Sequence, residues 1–319
     1  MGDALTPTSC PPPGLVYPRR ADEQHYSNSS ERPLQPEPRT IVLVHGLWMT
    51  PRCWDPFRQL YEERRYRVIA PPWPRLHDDI EDIRRDPSAL DRLGVAEIVD
   101  HYDSAIRLLD EEPILIGHSL GGLVVQILLD RGLGAAGIAI ASAPPKGVWR
   151  LPLSQVKALL PVLSNPLSYW QTVALTYPQF RYAFANAMSE SEAEAAFTQY
   201  AVPAPGRPIF EAKFANVNPW SATTVDYANN ERGPLLLIAG TEDHTSPPSV
   251  VRANYDLYGR SQAITSFKEF PGRSHLIIAQ DGWRQVAEFA LCWAHYHVQV
   301  RARETARQWA TRSLVKSAA

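Results

Sequence analysis

The spacing of apolar residues changes character along this chain. Residues 1–38 show no sustained period of two or 3.6 and hold eight prolines, including Pro11, Pro12 and Pro13, so they read as an extended or disordered tail. At Ile41-Val42-Leu43-Val44 four apolar residues run without a polar break and stop at His45-Gly46, the pattern of a strand buried on both faces. Strand and helix periods then alternate. A helix is predicted near Trp54 to Glu63, a strand at Arg67 to Ala70, and a helix near Val95 to Glu111. In that last helix Val95, Ile98, Val99, Tyr102, Ile106 and Leu109 share one stripe at spacings of three and four. A buried strand from Pro113 to Gly117 runs directly into a helix at Leu120 to Leu129, and a third apolar strand, Gly137 to Ala141, ends before Pro144-Pro145.

The alternation lapses after Gly147 and resumes with the strand Leu235 to Ala239, a helix from Pro248 to Tyr258, a strand near Ile264 to Phe270 and a helix from Trp283. In the final helix Val286, Phe289, Trp293 and Tyr296 share a face, and beyond Val300 the polar sequence predicts fraying. Repeated βα units predict an α/β fold, a mainly parallel sheet with helices on both faces. The expected organisation is a core of residues 39–147 and 228–300, a mostly helical cap inserted at 148–227, and a polar C-terminal extension at 301–319. The insertion is dense in aromatic residues, among them Trp149, Trp170, Phe180, Tyr182 and Phe184, which predicts a neutral, partly apolar substrate if they face a pocket.

Composition narrows the function. The 319 residues are 45% hydrophobic, enough for a sizeable core, and 32 basic against 34 acidic residues leave no charge run to attract a nucleic acid. No apolar stretch reaches the length of a membrane span, and no basic segment followed by an apolar one opens the chain, so a cytoplasmic protein is expected. Cys10, Cys53 and Cys292 lack CxxC spacing, so they define neither a zinc site nor a disulfide framework and read as buried or incidental thiols. No phosphate loop, dinucleotide fingerprint or histidine-rich ligand spacing is present, so neither a cofactor nor a metal is implied.

The chemistry starts at Gly117-His118-Ser119-Leu120-Gly121, a G-x-S-x-G pattern at the junction of a buried strand and a helix. Such an elbow projects its serine from a tight turn at the positive end of a helix. A serine hydroxyl needs a base to take its proton and a carboxylate to orient that base. In a doubly wound sheet the reactive groups gather after the carboxyl ends of strands, which selects Asp243, after the strand that resumes the sheet, and His275, after the last strand. His244 and Glu242 are the neighbouring alternatives. The turn His45-Gly46-Leu47-Trp48 follows the first strand and can aim the Leu47 amide opposite the Leu120 amide, forming a pair of oxyanion donors.

Through "VLVHGLW", "ILIGHSLGG", "LLLIAGTED" and "PGRSH" the sequence resembles the α/β-hydrolase superfamily over roughly residues 40 to 300. The resemblance implies a serine hydrolase acting on an ester, lactone or thioester of a small molecule, with Ser119, Asp243 and His275 as its triad. Relatives that are lyases, haloperoxidases or ligand receptors leave two alternatives: a lyase or cyclase using the same base, or a ligand-binding protein. The amino end shows no pair of leading strands, which leaves room for a sheet of six strands rather than eight.

Overall fold

A computed structural model describes residues 38–76 and 79–317, with side chains described as far as residue 301. Apart from Pro38, the expected proline-rich tail lies outside the described residues. The framework is a six-stranded sheet, built from β1 (Thr40–Val44), β2 (Arg67–Ile69), β3 (Ile114–His118), β4 (Ala136–Ile140), β7 (Leu235–Gly240) and β8 (Thr265–Phe270). Its order is β2-β1-β3-β4-β7-β8 and every pairing is parallel. Strands β1, β3, β4 and β7 are buried at every position, which is why their sequences read as continuous apolar runs rather than alternating ones.

Helices α1 (Asp55–Glu63), α3 (Val95–Arg107), α4 (Leu120–Asp130), α9 (Pro248–Leu257) and α10 (Trp283–Ser317) cover the sheet. Helix α4 packs along β3 and β4 and is buried from Leu120 to Leu129, so it shows no polar face. Helix α3 lies on α4 and buries Val95, Ile98, Val99, Tyr102 and Ile106 as the stripe predicts; it stops at Arg107, and Leu109 packs on the core from the following turn. Helix α1 packs against α10, and the Tyr61 hydroxyl donates to the Ala287 carbonyl at 3.0 Å. The backbone of α10 stays helical through Ser317, past the fraying expected after Val300, consistent with the Ala, Arg, Glu and Gln content of that stretch. A short helix, α2 (Ile80–Arg85), capped by the Asp79 side chain, is absent from the periodicity because one turn and a half carries too few apolar repeats.

Between β4 and β7 the chain inserts helices α5 (Leu153–Leu163), α6 (Tyr177–Ala183), α7 (Glu190–Tyr200) and α8 (Arg207–Lys213), with a two-residue antiparallel pair of β5 (Thr172–Val173) and β6 (Ala204–Pro205). Among the described residues no helix is long and apolar enough to cross a membrane. Cys53 is a buried free thiol.

Candidate active site

The sheet order places β2 on one side of β1 and β3 on the other, so the loops leaving β1 and β3 diverge and open a crevice between their carboxyl ends. Ser119 ends the β3 side of that crevice. Its backbone sits at φ 55°, ψ −118°, in the left-handed half of conformational space that a side chain rarely adopts, and the turn is held by the Ser119 N–H donating to the Ile140 carbonyl at 3.0 Å. The turn is possible only because its flanks are bare: a Cβ on Gly117 would meet the Gly121 carbonyl oxygen at 2.1 Å. Across the crevice, a Cβ on Gly46 would meet the Cβ of Ser119 at 2.8 Å, so only glycine lets the loop after β1 lie against the elbow.

His275 reaches Ser119 from the loop after β8. Its Nδ1 lies 2.7 Å from Asp243 Oδ2 and its Nε2 lies 2.9 Å from Ser119 Oγ. A carboxylate only accepts, so Nδ1 carries the proton and Nε2 is left to accept from the serine hydroxyl. The other Asp243 oxygen, Oδ1, accepts the N–H groups of Thr245 and Ser246, each at 2.7 Å, which fixes the carboxylate in the plane His275 needs. His275 is fully buried, Asp243 is 3% exposed and Ser119 6% exposed. The neighbouring alternatives point elsewhere: His244 Nδ1 bonds the Tyr182 carbonyl at 3.0 Å and its ring lies on Tyr182, while Glu242 is exposed and accepts from Thr241.

Leu47 and Leu120 both line the cleft beside Ser119, and neither backbone N–H has a partner among the described residues. A developing oxyanion requires unpaired donors beside the nucleophile.

Two further histidines pack behind the site. Burial holds His118 well below its usual pKa, so its ring is neutral and its Nε2–H donates to the His275 carbonyl at 2.8 Å. The rings of His118 and His275 are 4.8 Å apart, so a neutral His118 fixes the His275 loop without repelling an imidazolium formed there. His45, stacked on Trp73, is also lowered by burial, to about 4, and hydrogen-bonds the Gly46 carbonyl at 3.0 Å. A histidine whose folded pKa lies below its unfolded value near 6.5 stabilises the fold fully above that value and loses the contribution as pH falls toward the folded pKa. Stability should therefore drop between about pH 6.5 and 4, by roughly 3 kcal/mol from His45 alone. Urea unfolding at about pH 7 and pH 4.5 measures it, and equal stabilities would contradict this account of the buried rings.

The inserted helices supply the opposite wall: Gln155 and Leu159 from α5, and Pro208, Ile209, Ala212 and Lys213 from α8. The free space is narrow, about 40 Å³. The aromatic residues singled out in the sequence do not line it. Phe180 and Phe184 stack at 5.1 Å in the core beneath the insertion, and Phe184 also meets His275 edge-on at 4.9 Å. Besides its aliphatic residues the cleft is lined by Trp48, by the polar Ser119, Gln155, Thr245 and Ser246, and by one charged group, Lys213. Periodicity carried no signal for Leu159, Ile209 or Lys213, because α8 is only seven residues long and α5 carries apolar residues around its whole circumference, Leu153 and Leu160 among them exposed. Trp48, at φ 62°, separates this cleft from a second cavity of about 390 Å³ near Leu175, Phe197 and Val202, and its indole N–H donates to the Val173 carbonyl at 2.9 Å. Among the described residues no group of three or more His, Cys, Asp or Glu is placed to hold a metal ion.

The sequence profile of the alpha/beta hydrolase family matches residues 41–289. Among solved structures, the chain is similar to a monoacylglycerol lipase of Paleococcus ferrophilus, with TM-score 0.57 and 21% identity over 82% of this chain and 96% of that one. It is similar also to an extracellular alpha/beta-hydrolase from a Paenibacillus species, with TM-score 0.57 and 22% identity over 79% and 97% of the two chains. A methylesterase from Arabidopsis aligns with TM-score 0.53 and 15% identity over 79% and 97%. No curated protein sequence matches the chain.

Proposed function

The chain belongs to the α/β-hydrolase family, and from that premise we propose that it is a serine hydrolase that cleaves a carboxylic ester, lactone or thioester of a small, largely aliphatic molecule. The observation that carries this reading is the continuous hydrogen-bonded chain Ser119–His275–Asp243, with its two bonds of 2.9 and 2.7 Å. A protein that only bound a ligand would have no need of a base aligned on a strained serine.

In this reading Ser119 Oγ attacks the carbonyl carbon while His275 Nε2 takes its proton. The Leu47 and Leu120 amides receive the negative charge that collects on the carbonyl oxygen. His275 returns the proton to the leaving alcohol or thiol, and the acyl group stays on Ser119. A water then gives a proton to His275 and attacks the acyl carbon; the bond from that carbon to Ser119 Oγ breaks, His275 returns the proton to Oγ, and the acid is released. Asp243 keeps the imidazole in the productive tautomer and offsets its positive charge throughout.

The segment 148–227 acts in this scheme as a cap whose aliphatic wall selects the acyl group. The narrow cleft should favour short p-nitrophenyl esters, which makes their hydrolysis the first test; no turnover across the short-chain series would argue against the esterase reading. Ile209→Ala should widen the cleft and shift the preference toward longer acyl chains, by about fourfold in kcat/KM per added methylene accommodated. Phe180→Ala should instead cost roughly 3–5 kcal/mol of stability, with the chain-length profile unchanged, because that ring packs on Phe184 and Phe197 away from the cleft. Identical profiles for wild type and Ile209→Ala would remove α8 from substrate selection.

A further inference from the structure

One charged group stands in the wall of the Ser119 cleft. Lys213, in the last turn of α8, lines the same space as Ser119, Leu120 and Thr245. Among the described residues it has no hydrogen-bond or ion-pair partner. The nearest carboxylate on its own helix, Glu211, is already held, with Oε1 2.8 Å from Arg207 Nε and Oε2 2.7 Å from the Val95 amide. The rest of the wall holds no carboxylate: it is aliphatic apart from Trp48, Ser119, Gln155, Thr245 and Ser246, and the unpaired buried Oε1 of Gln155 is an acceptor, so it repels rather than receives a negative group. Burial lowers the lysine to about 8, which leaves it mostly charged at neutral pH with nothing in the fold to balance it.

Lys213 is half-buried, and a cation that no protein group balances in the wall of a cleft beside a nucleophile is placed to take its partner from a bound molecule. Resting on the hydrolase reading above, we infer that Lys213 is a specificity-determining residue that binds a carboxylate on the substrate. The preferred substrates are then small esters bearing a free carboxylate, such as half-esters of short dicarboxylic acids or acyl esters of short hydroxy acids. The acyl chemistry is unchanged: Ser119 attacks the ester carbonyl, and the distant carboxylate stays ionised against the ammonium. The neutral substrate expected from the composition of the insertion gives way to an anionic one, because the aromatics that suggested it lie outside the cleft.

The test uses two matched pairs, monomethyl glutarate with dimethyl glutarate, and 4-acetoxybutanoate with its methyl ester. In at least one pair the anionic ester should be favoured in kcat/KM by about tenfold or more, and Lys213→Met should cut that ratio by about 10- to 100-fold, the range for a charge-assisted hydrogen bond. Lys213→Arg should keep most of the preference. Lys213→Met should fold, since it removes an unpaired cation and leaves an apolar chain of similar length, and its melting temperature reports that directly. A ratio that favours the neutral ester in both pairs, or one that the methionine leaves unaltered, overturns the inference. If none of the esters is turned over, the hydrolase reading has failed independently. Calorimetric titration of monomethyl glutarate then decides: at least tenfold weaker binding to Lys213→Met than to wild type sustains the carboxylate site, and equal or undetectable binding to both overturns it.

Discussion

Ser119→Ala should lower ester turnover by at least roughly 10⁴-fold while leaving the protein folded. The expected size follows from what the hydroxyl does and what it does not do. In the proposed cycle Oγ is the atom that bonds the acyl carbon, so without it the amides of Leu47 and Leu120 can still polarise a carbonyl but no acyl-enzyme forms. Structurally the hydroxyl makes one hydrogen bond, to His275 Nε2. The turn is shaped by the bare flanks at Gly117 and Gly121 and by the backbone bond to Ile140, all of which alanine retains. Steady-state kinetics together with a thermal melt separate the two effects. Turnover within tenfold of wild type would take Ser119 out of the mechanism.

The second large effect is expected at Asp243→Asn, a loss of about 10⁴-fold in kcat, and the geometry says why so small a change should be so costly. Two backbone N–H groups, of Thr245 and Ser246, point at Oδ1. They will hold the carbonyl oxygen of the asparagine, which turns its NH₂ toward His275. A donor facing Nδ1 forces that nitrogen to give up its proton, so the proton moves to Nε2, where it points at Ser119 and cannot accept from it. The variant should be folded, and its fluorophosphonate labelling should slow in parallel with turnover. His244→Ala and Glu242→Gln should each stay within a few-fold of wild type, since the first side chain bonds the Tyr182 carbonyl and the second lies at the surface. Damage from Glu242→Gln with Asp243→Asn unharmed would reassign the acid.

Much of this was legible in the residues, and for physical reasons. Strands β1, β3, β4 and β7 are buried on both faces, so their sequences are unbroken apolar runs that admit little ambiguity, and strand ends are where a doubly wound sheet exposes its chemistry. That made Ser119, Asp243 and His275 findable one strand end at a time, though they are far apart in the chain. The cleft was not legible in the same way. Which face of α5 and α8 meets the sheet is set by tertiary packing, and helices of 11 and 7 residues in an insertion that packs on itself carry no clean stripe. Aromatic density suggested a lining; instead Phe180, Phe184 and Phe197 form the packed layer that holds the insertion together, and the residues the insertion places in the Ser119 cleft are Gln155, Leu159, Pro208, Ile209, Ala212 and Lys213. The unpaired state of Lys213 likewise depends on where Glu211 turns, which only the fold determines.

The central claim is that Ser119 is an activated nucleophile, and intact-protein mass spectrometry after brief exposure to a stoichiometric fluorophosphonate, followed by peptide mapping, tests it most directly. The account predicts a single adduct, located on Ser119, formed rapidly in wild type, slowly in Asp243→Asn and not at all in Ser119→Ala. A protein that stays unmodified, or an adduct on any other residue that persists in Ser119→Ala, would contradict it.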